Sequence, residues 1–340
     1  MRGAMIILLT LGLFACFDDT FYEGDFFYLV NKKAQMPVAV RGDTGSGVLI
    51  VFLHGGPGGT ALQKIGLQAF NELEKDYGLV FWDQRASGSS QGNSALTDLN
   101  LAQFTEDLDK LIDLLLVKYD HPSIFLMGHS WGGCLGTNFL IDAKRQAKVR
   151  GWIDVDGAHD NPDGDNLSKQ FVVDYADQQI TAGSDVDFWE YVLSWYAENP
   201  DFTTDQLEHY SFVEKAHGYI YDPSLAASEK FPNYSFSYLF ESPANVTASL
   251  INYNSVIKNF IISDINLTSA MGAIQLPSLI IWGAHDGIVP YPMAQHAYDA
   301  LGTTPDRKRI VTLPNSAHNG FHEEPTAFLD AVTEFVEEYR

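Results

Sequence analysis

The chain has 340 residues, of which 46% are apolar, 13% aromatic and only 19% charged; this composition builds a large buried core and excludes a disordered chain. A formal net charge of −23, with no cluster of Lys and Arg, gives a surface that repels phosphate backbones and excludes nucleic acid as a partner. Two cysteines, Cys16 and Cys134, are too few for a disulfide framework, and neither clustered His/Cys ligands nor a dinucleotide fingerprint asks for a metal or a redox cofactor.

Residues 1–15 read as a signal peptide: Arg2 supplies the charged start, and the apolar run over 4–14 is too short to span as a membrane helix. Leu13-Phe14-Ala15-Cys16 resembles the bacterial lipobox, in which a small residue precedes a cysteine that is lipidated and becomes the new N-terminus. That implies export to the cell envelope, with a lipid anchor on Cys16 as the sole membrane contact.

The alternating segments 26–30 and 36–40 predict an antiparallel opening to a sheet. The runs at 48–53, 79–82, 123–127 and 151–155 are nearly continuous in apolar residues, as expected of parallel strands covered on both faces. Helical patterns fall between them at 62–76, at 101–119 and from Ser130 to about Lys144. From 159 to 275 the rhythm gives way to aromatic-rich helical stretches, among them 167–180, 186–197 and 244–262, and no strand in that span could join the sheet. Alternation resumes with a strand at 278–282, a helix at 292–301, a strand at 308–313 and a helix at 325–339. The expected architecture is therefore α/β. A mostly parallel central sheet flanked by helices is built from 16–158 and 276–340, with a helical cap inserted over 159–275.

Gly128-His129-Ser130-Trp131-Gly132 lies between a buried strand and a helix, where a turn tight enough to expose a serine hydroxyl leaves no room for flanking side chains. Ser130 is therefore the candidate nucleophile. The N–H of Trp131, directly after it, is one donor for a developing oxyanion, and a second must come from the first strand-to-helix loop. His54-Gly55-Gly56-Pro57-Gly58-Gly59 occupies that loop; its proline and the lack of a following Gly-Lys-Ser/Thr argue against a phosphate cradle. His318, just past the last strand, is placed to serve as base, ahead of His322 at the start of the final helix. Asp286, after the strand 278–282, is the candidate acid in the chain order Ser, Asp, His, and Asp156 at the end of the strand 151–155 is its rival. Cys134, on the helix after Ser130, reads as a packing residue, and Trp189, Tyr191, Trp195 and Tyr196 chiefly as the cap's own core.

Taken together, HGGPGG, the Asp83-Gln84-Arg85 turn and GHSWGG resemble the proline iminopeptidase branch of the α/β hydrolases over roughly 48–157 and 277–338. The resemblance implies the α/β-hydrolase fold, an oxyanion hole from the N–H groups of Gly56 and Trp131, substrate contact at Gly55, and bracing roles for Asp83 and Arg85. It further implies an aminopeptidase that releases N-terminal proline or another small residue from short peptides, with cap carboxylates gripping the substrate ammonium. Trp189-Glu190 matches the first of these anchors, which makes Glu190 a candidate, whereas the segment at 251–254 offers no acid for the second; Asp174, Glu198 and Glu208 are other acids of the cap. An ester hydrolase or amidase of small substrates needs no such anchor and stands as the alternative. A non-catalytic binding module on the same fold is disfavoured by the complete triad. No cofactor is expected, and the oligomeric state is not legible.

Overall fold

A computed structural model describes residues 24–225 and 264–340. The expected signal segment, Cys16, the helix at 244–262 and the segment at 251–254 lie outside the described residues. The strands are β1 (Asp25–Asn31), β2 (Ala34–Gly42), β3 (Val48–Leu53), β4 (Gly78–Trp82), β5 (Gln91–Gly92), β6 (Ser123–His129), β7 (Gly151–Val155), β8 (Ser278–Gly283) and β9 (Lys308–Leu313). They form one sheet in the order β1-β2-β4-β3-β6-β7-β8-β9, with the short β5 paired to β2. From β4 to β9 all neighbours are parallel, whereas β1, β2 and β5 are added antiparallel. The expected mostly parallel sheet with an antiparallel opening is therefore what forms.

The helices are α1 (Gln68–Leu73), α2 (Leu101–Lys118), α3 (Trp131–Leu140), α4 (Ala143–Gln146), α5 (Asn161–Ala182), α6 (Val186–Glu198), α7 (Gln206–Lys215), α8 (Pro292–Ala300), α9 (Gly320–Glu323) and α10 (Pro325–Tyr339). Two expected helices are broken for identifiable reasons. The pattern at 62–76 splits into a single 3-10 turn at Leu62–Lys64 and the short α1, because Gly66 between them sits at φ 93, outside helical space. The helix after Ser130 stops at Leu140, since the Asp142 carboxylate accepts the N–H groups of Lys144 and Arg145 and caps α4 as a new start.

Side chains alternate across the sheet with the pleat. Leu49, Val51 and Leu53 of β3 pack with Leu108, Leu111, Ile112 and Leu115 of α2, while Val48, Ile50 and Phe52 pack with Phe70 of α1 and with Phe328 and Phe335 of α10. Every residue of β3, β4, β7 and β8 is buried, which is why these strands read as unbroken apolar runs. Between β7 and β8 the helices α5, α6 and α7 form a helical insert with its own core, including Val172, Trp189, Tyr196 and Phe212. Trp189 and Tyr196 are buried as expected, whereas Tyr191 is half exposed. Among the described residues no helix is long and apolar enough to cross a membrane.

One buried ion pair ties the antiparallel edge to the parallel core. Arg85 donates from Nε to Asp107 Oδ2 at 2.8 Å and from Nη2 to Asp107 Oδ1 at 2.9 Å, and it also reaches the carbonyl of Asn31 in β1. Asn31 Nδ2 and Gln103 Nε2 donate to the same carboxylate at 2.6 and 3.1 Å, so the buried charges have their hydrogen bonds filled. Asp107→Ala, which strands the guanidinium, is expected to lower unfolding stability by about 3–5 kcal/mol in urea titrations; a loss under about 1 kcal/mol would contradict this account.

Candidate active site

The turn between β6 and α3 holds Ser130 at φ 56 and ψ −120, a conformation that costs a non-glycine residue on the order of 1–3 kcal/mol. It is held by backbone hydrogen bonds from Ser130 N to the Val155 carbonyl and from Gly133 N and Ala158 N to the Ser130 carbonyl, at 3.0, 2.8 and 3.0 Å. A Cβ at Gly132 would strike the Leu53 carbonyl, and one at Gly128 would strike the Gly132 carbonyl and the Trp152 ring. Both positions of the motif therefore require glycine for reasons of space.

His318, after β9, donates from Nδ1 to Asp286 Oδ2 at 2.8 Å. The carboxylate fixes the tautomer with the proton on Nδ1, so Nε2 is the nitrogen that can take up a proton. Asp286 Oδ1 accepts the N–H groups of Ile288 and Val289 at 2.8 and 3.0 Å. His318 and Asp286 are both buried, and Ser130 and His318 line the same cavity. The base loop is held by His129, whose Nε2 donates to the His318 carbonyl at 2.7 Å. Burial, with the nearby His318 second, keeps the His129 imidazole neutral by pushing its pKa well down.

Asp156, the rival acid, lies beside this pair. Its Oδ1 accepts Gly283 N at 2.9 Å, whereas the buried Oδ2 has no partner among the described residues. Burial first and repulsion from Asp286 second push Asp156 well above the usual carboxylate range; burial also raises Asp286, against the pull of the Val289 and Ile288 N–H groups. Among the described residues Asp286 has three donors and Asp156 one, which favours the charged form at Asp286 over Asp156. His129, Asp156 and His318 hold ligand-type atoms within 4.8 Å of one another. His129 Nε2 and His318 Nδ1 are already committed to hydrogen bonds, so we read the trio as part of this network.

The glycine-rich loop and the residue after the serine are joined by a group that sequence reasoning passed over. Gln84 donates its N–H to His54 Nε2 at 3.1 Å and its Nε2 to the His54 carbonyl at 3.0 Å, while its Oε1 accepts Trp131 Nε1 at 3.0 Å. One side chain thus sets the two proposed oxyanion elements relative to each other; its position in the Asp83-Gln84-Arg85 motif was the available signal. Asp83 accepts Thr60 Oγ1, Ala61 N and Leu62 N on one oxygen and Ser89 N on the other, and so braces the same loop. Gly55 lies against Ser130, where a Cβ would come 3.0 Å from the serine Cβ.

Ser130 opens onto two cavities that share Gly56, Tyr210 and Ile288. One, of about 560 Å³, is lined by His318, Gly55, Lys64, Glu214 and Tyr219, and the other, of about 50 Å³, by Trp131, Asn161 and Asp165. Ser130, His318, Gly55, Gly56 and Trp131 are thus brought together. Glu190 is exposed on α6 and lines neither cavity. Asp165 is the residue missed: burial pushes its carboxyl up to about 7, and no partner for it is found among the described residues. Cys134 is buried on α3, and burial pushes its thiol up, which suits a packing role.

The alpha/beta hydrolase fold family matches residues 48–325, and the chain belongs to it. Its relatives include proline iminopeptidase-like proteins over most of the chain. A probable aminopeptidase YbaC of Bacillus subtilis is 25% identical over 89% of this chain and 93% of its own length. A proline iminopeptidase of Saccharolobus solfataricus is 24% identical over 86% of each chain. Among solved structures, VinJ has a TM-score of 0.65 at 20% identity, covering 94% of this chain and all (100%) of its own. The proline iminopeptidase of Mycobacterium smegmatis has a TM-score of 0.64 at 16% identity, covering 92% of this chain and 98% of its own. At these identities the solved structures speak to the fold.

The geometry predicts that Asp286→Asn lowers kcat by about 10⁴, by presenting the wrong imidazole tautomer. Asp156→Asn, which removes a carboxyl whose charged form burial disfavours, is expected to stay within about tenfold of wild type. Steady-state kinetics on any hydrolysed ester or amide checks both, and the reverse ranking would move the acid to β7.

Proposed function

We propose that the chain is a serine hydrolase working through an acyl-enzyme, and specifically an aminopeptidase releasing proline or another small residue from the N-terminus of short peptides. Ser130 attacks the scissile carbonyl, His318 takes its proton, and Asp286 stabilises the imidazolium. The N–H groups of Gly56 and Trp131 receive the oxyanion. His318 then returns the proton to the leaving amine, so the leaving group lies on the histidine side of Ser130, in the larger cavity. The acyl group then lies in the smaller one, where about 50 Å³ suits a small residue.

The observation that carries the exopeptidase reading is Asp165 on that acyl side. Its neighbour Asp160 is spent: Oδ1 caps α5 through Asp163 N, and Oδ2 accepts from Asn266 and Thr268. Asp165 has no such donors among the described residues, so a carboxyl held up near 7 by burial gains its natural partner when a substrate ammonium arrives. We therefore assign the anchor to Asp165, ahead of Glu190. The aminopeptidase and iminopeptidase names among the relatives support the same class of substrate.

N-acetylation of a prolyl-arylamide removes the ammonium and leaves the scissile bond alone. A desolvated charge pair contributes about 2–5 kcal/mol, so kcat/KM is expected to fall roughly a thousandfold. Asp165→Asn should give much of that loss on the free amine and little more on the acetylated substrate, since both changes delete one interaction. Equal cleavage of free and acetylated substrates would contradict the aminopeptidase reading and favour an esterase or endo-acting amidase. Sensitivity to acetylation without sensitivity to Asp165→Asn would return the anchor to another cap acid, with Glu190 first.

A further inference from the structure

Three buried side chains, one from each described helix of the insert, form a hydrogen-bonded chain that ends on the acid turn. The order of donors is fixed from that end. The Gly287 carbonyl can only accept, so the Ser168 hydroxyl of α5 donates to it. Ser168 Oγ then receives the Nε2–H of His209 in α7 at 2.9 Å. With Nε2 protonated, the neutral imidazole accepts at Nδ1, from the hydroxyl of Tyr196 in α6 at 2.7 Å. Burial supports this state by pushing His209 down to about 4, with Lys169 adding in the same direction. Ser168, His209 and Tyr196 are 1%, 1% and 4% exposed, so no bulk water substitutes for a missing member.

The chain's end point is the peptide next to Asp286. The same residue, Gly287, donates its N–H to the Gly218 carbonyl at 2.8 Å, and a Cβ there would strike the Phe171 ring of α5. Asp286 Oδ1 is in turn held by the next two N–H groups, Ile288 and Val289, so the carboxylate moves with this turn. On the other side of the pair, His318 N donates to the Tyr219 carbonyl at 3.2 Å. Adjacent residues of the insert, Gly218 and Tyr219, thus hold the acid turn and the base loop against each other.

We propose that Tyr196, His209 and Ser168 are positioning residues, through which the helical insert holds the Asp286 turn in register with His318. The insert and the triad then form one mechanical unit, and the insert does more than wall the substrate cavities. This rests on the Ser130, His318 and Asp286 assignment, but not on the identity of the substrate.

The test is the rate at which Ser130 of the full chain is labelled by a small fluorophosphonate, together with kcat, KM and thermal midpoint. A misplacement of about 1 Å in a catalytic group costs roughly a hundredfold. Ser168→Ala is expected to label about 10- to 100-fold more slowly and to lose kcat similarly, with KM within about threefold. Ser168→Thr, which keeps the hydroxyl, is expected to stay within about threefold of wild type. Tyr196→Phe removes only the outermost hydroxyl and keeps the packing, so it decides the matter if Ser168→Ala does not fold; slowed labelling at unchanged KM supports the proposal. Wild-type labelling rates in a folded variant, whatever its thermal midpoint, would make the chain a stability element and overturn it. A wild-type protein that labels but cleaves no arylamide removes the aminopeptidase reading alone. One that does not label removes the triad, and this inference with it.

Discussion

Presenting a serine hydroxyl at the end of a buried strand forces the backbone at Ser130 into a strained turn, and the rest of the molecule is arranged around holding it there. The strain is of the order of 1–3 kcal/mol, and hydrogen bonds to Val155, Gly133 and Ala158 offset it. Val155 belongs to β7, and the Leu53 carbonyl that excludes a side chain at Gly132 belongs to β3, so the two strands flanking β6 both shape the elbow. Their parallel order brings the C-terminal ends of β6, β7 and β8 together. The donor loop after β3, the acid turn after β8 and the base loop after β9 all open at that edge. Gln84, bridging His54 to Trp131, then fixes the last free relation among these parts.

Charge is placed by the supply of donors. The chain carries a net −23, and among the described residues the buried carboxyls of Asp286, Asp156 and Asp154 have no Lys or Arg beside them, unlike Asp107, which is paired with Arg85. Asp286 keeps its charge because three N–H groups point at it. Asp156 has a single donor, and Asp154, with both oxygens unpartnered among the described residues, is pushed up to about 7 by burial. Carboxyls without donors take up protons instead. Asp165, beside Ser130 in the smaller cavity, obeys the same rule, and under the proposed aminopeptidase activity a substrate ammonium would supply the charge it lacks.

Most of the fold was legible because fully buried parallel strands leave unbroken apolar runs, and the boundaries of β3 and β7 agree with those runs. The candidate triad could be proposed from sequence because strand-turn-helix context, rather than the five-residue string alone, marks the elbow. Legibility ended where a role depends on tertiary neighbours. Asp165 and Asp160 are both acids at the start of α5, and only the donors around Asp160 separate a helix cap from an open carboxylate. Glu190 follows a tryptophan in a cap helix, but Trp189 is buried whereas Glu190 is exposed and lines neither cavity. Ser168, His209 and Tyr196 carry no pattern in the sequence, since three helices of different register must pack before they meet.

The most direct measurement is a crystal structure of the chain after reaction with an alkyl fluorophosphonate, which mimics the tetrahedral intermediate. The account predicts phosphorus bonded to Ser130 Oγ, with the phosphoryl oxygen about 2.7–3.1 Å from the N–H groups of both Gly56 and Trp131. The alkyl group should lie on the Asp165 side, leaving the His318 side open for the leaving group. Phosphorus on another residue, or a phosphoryl oxygen turned away from those two N–H groups, would contradict it.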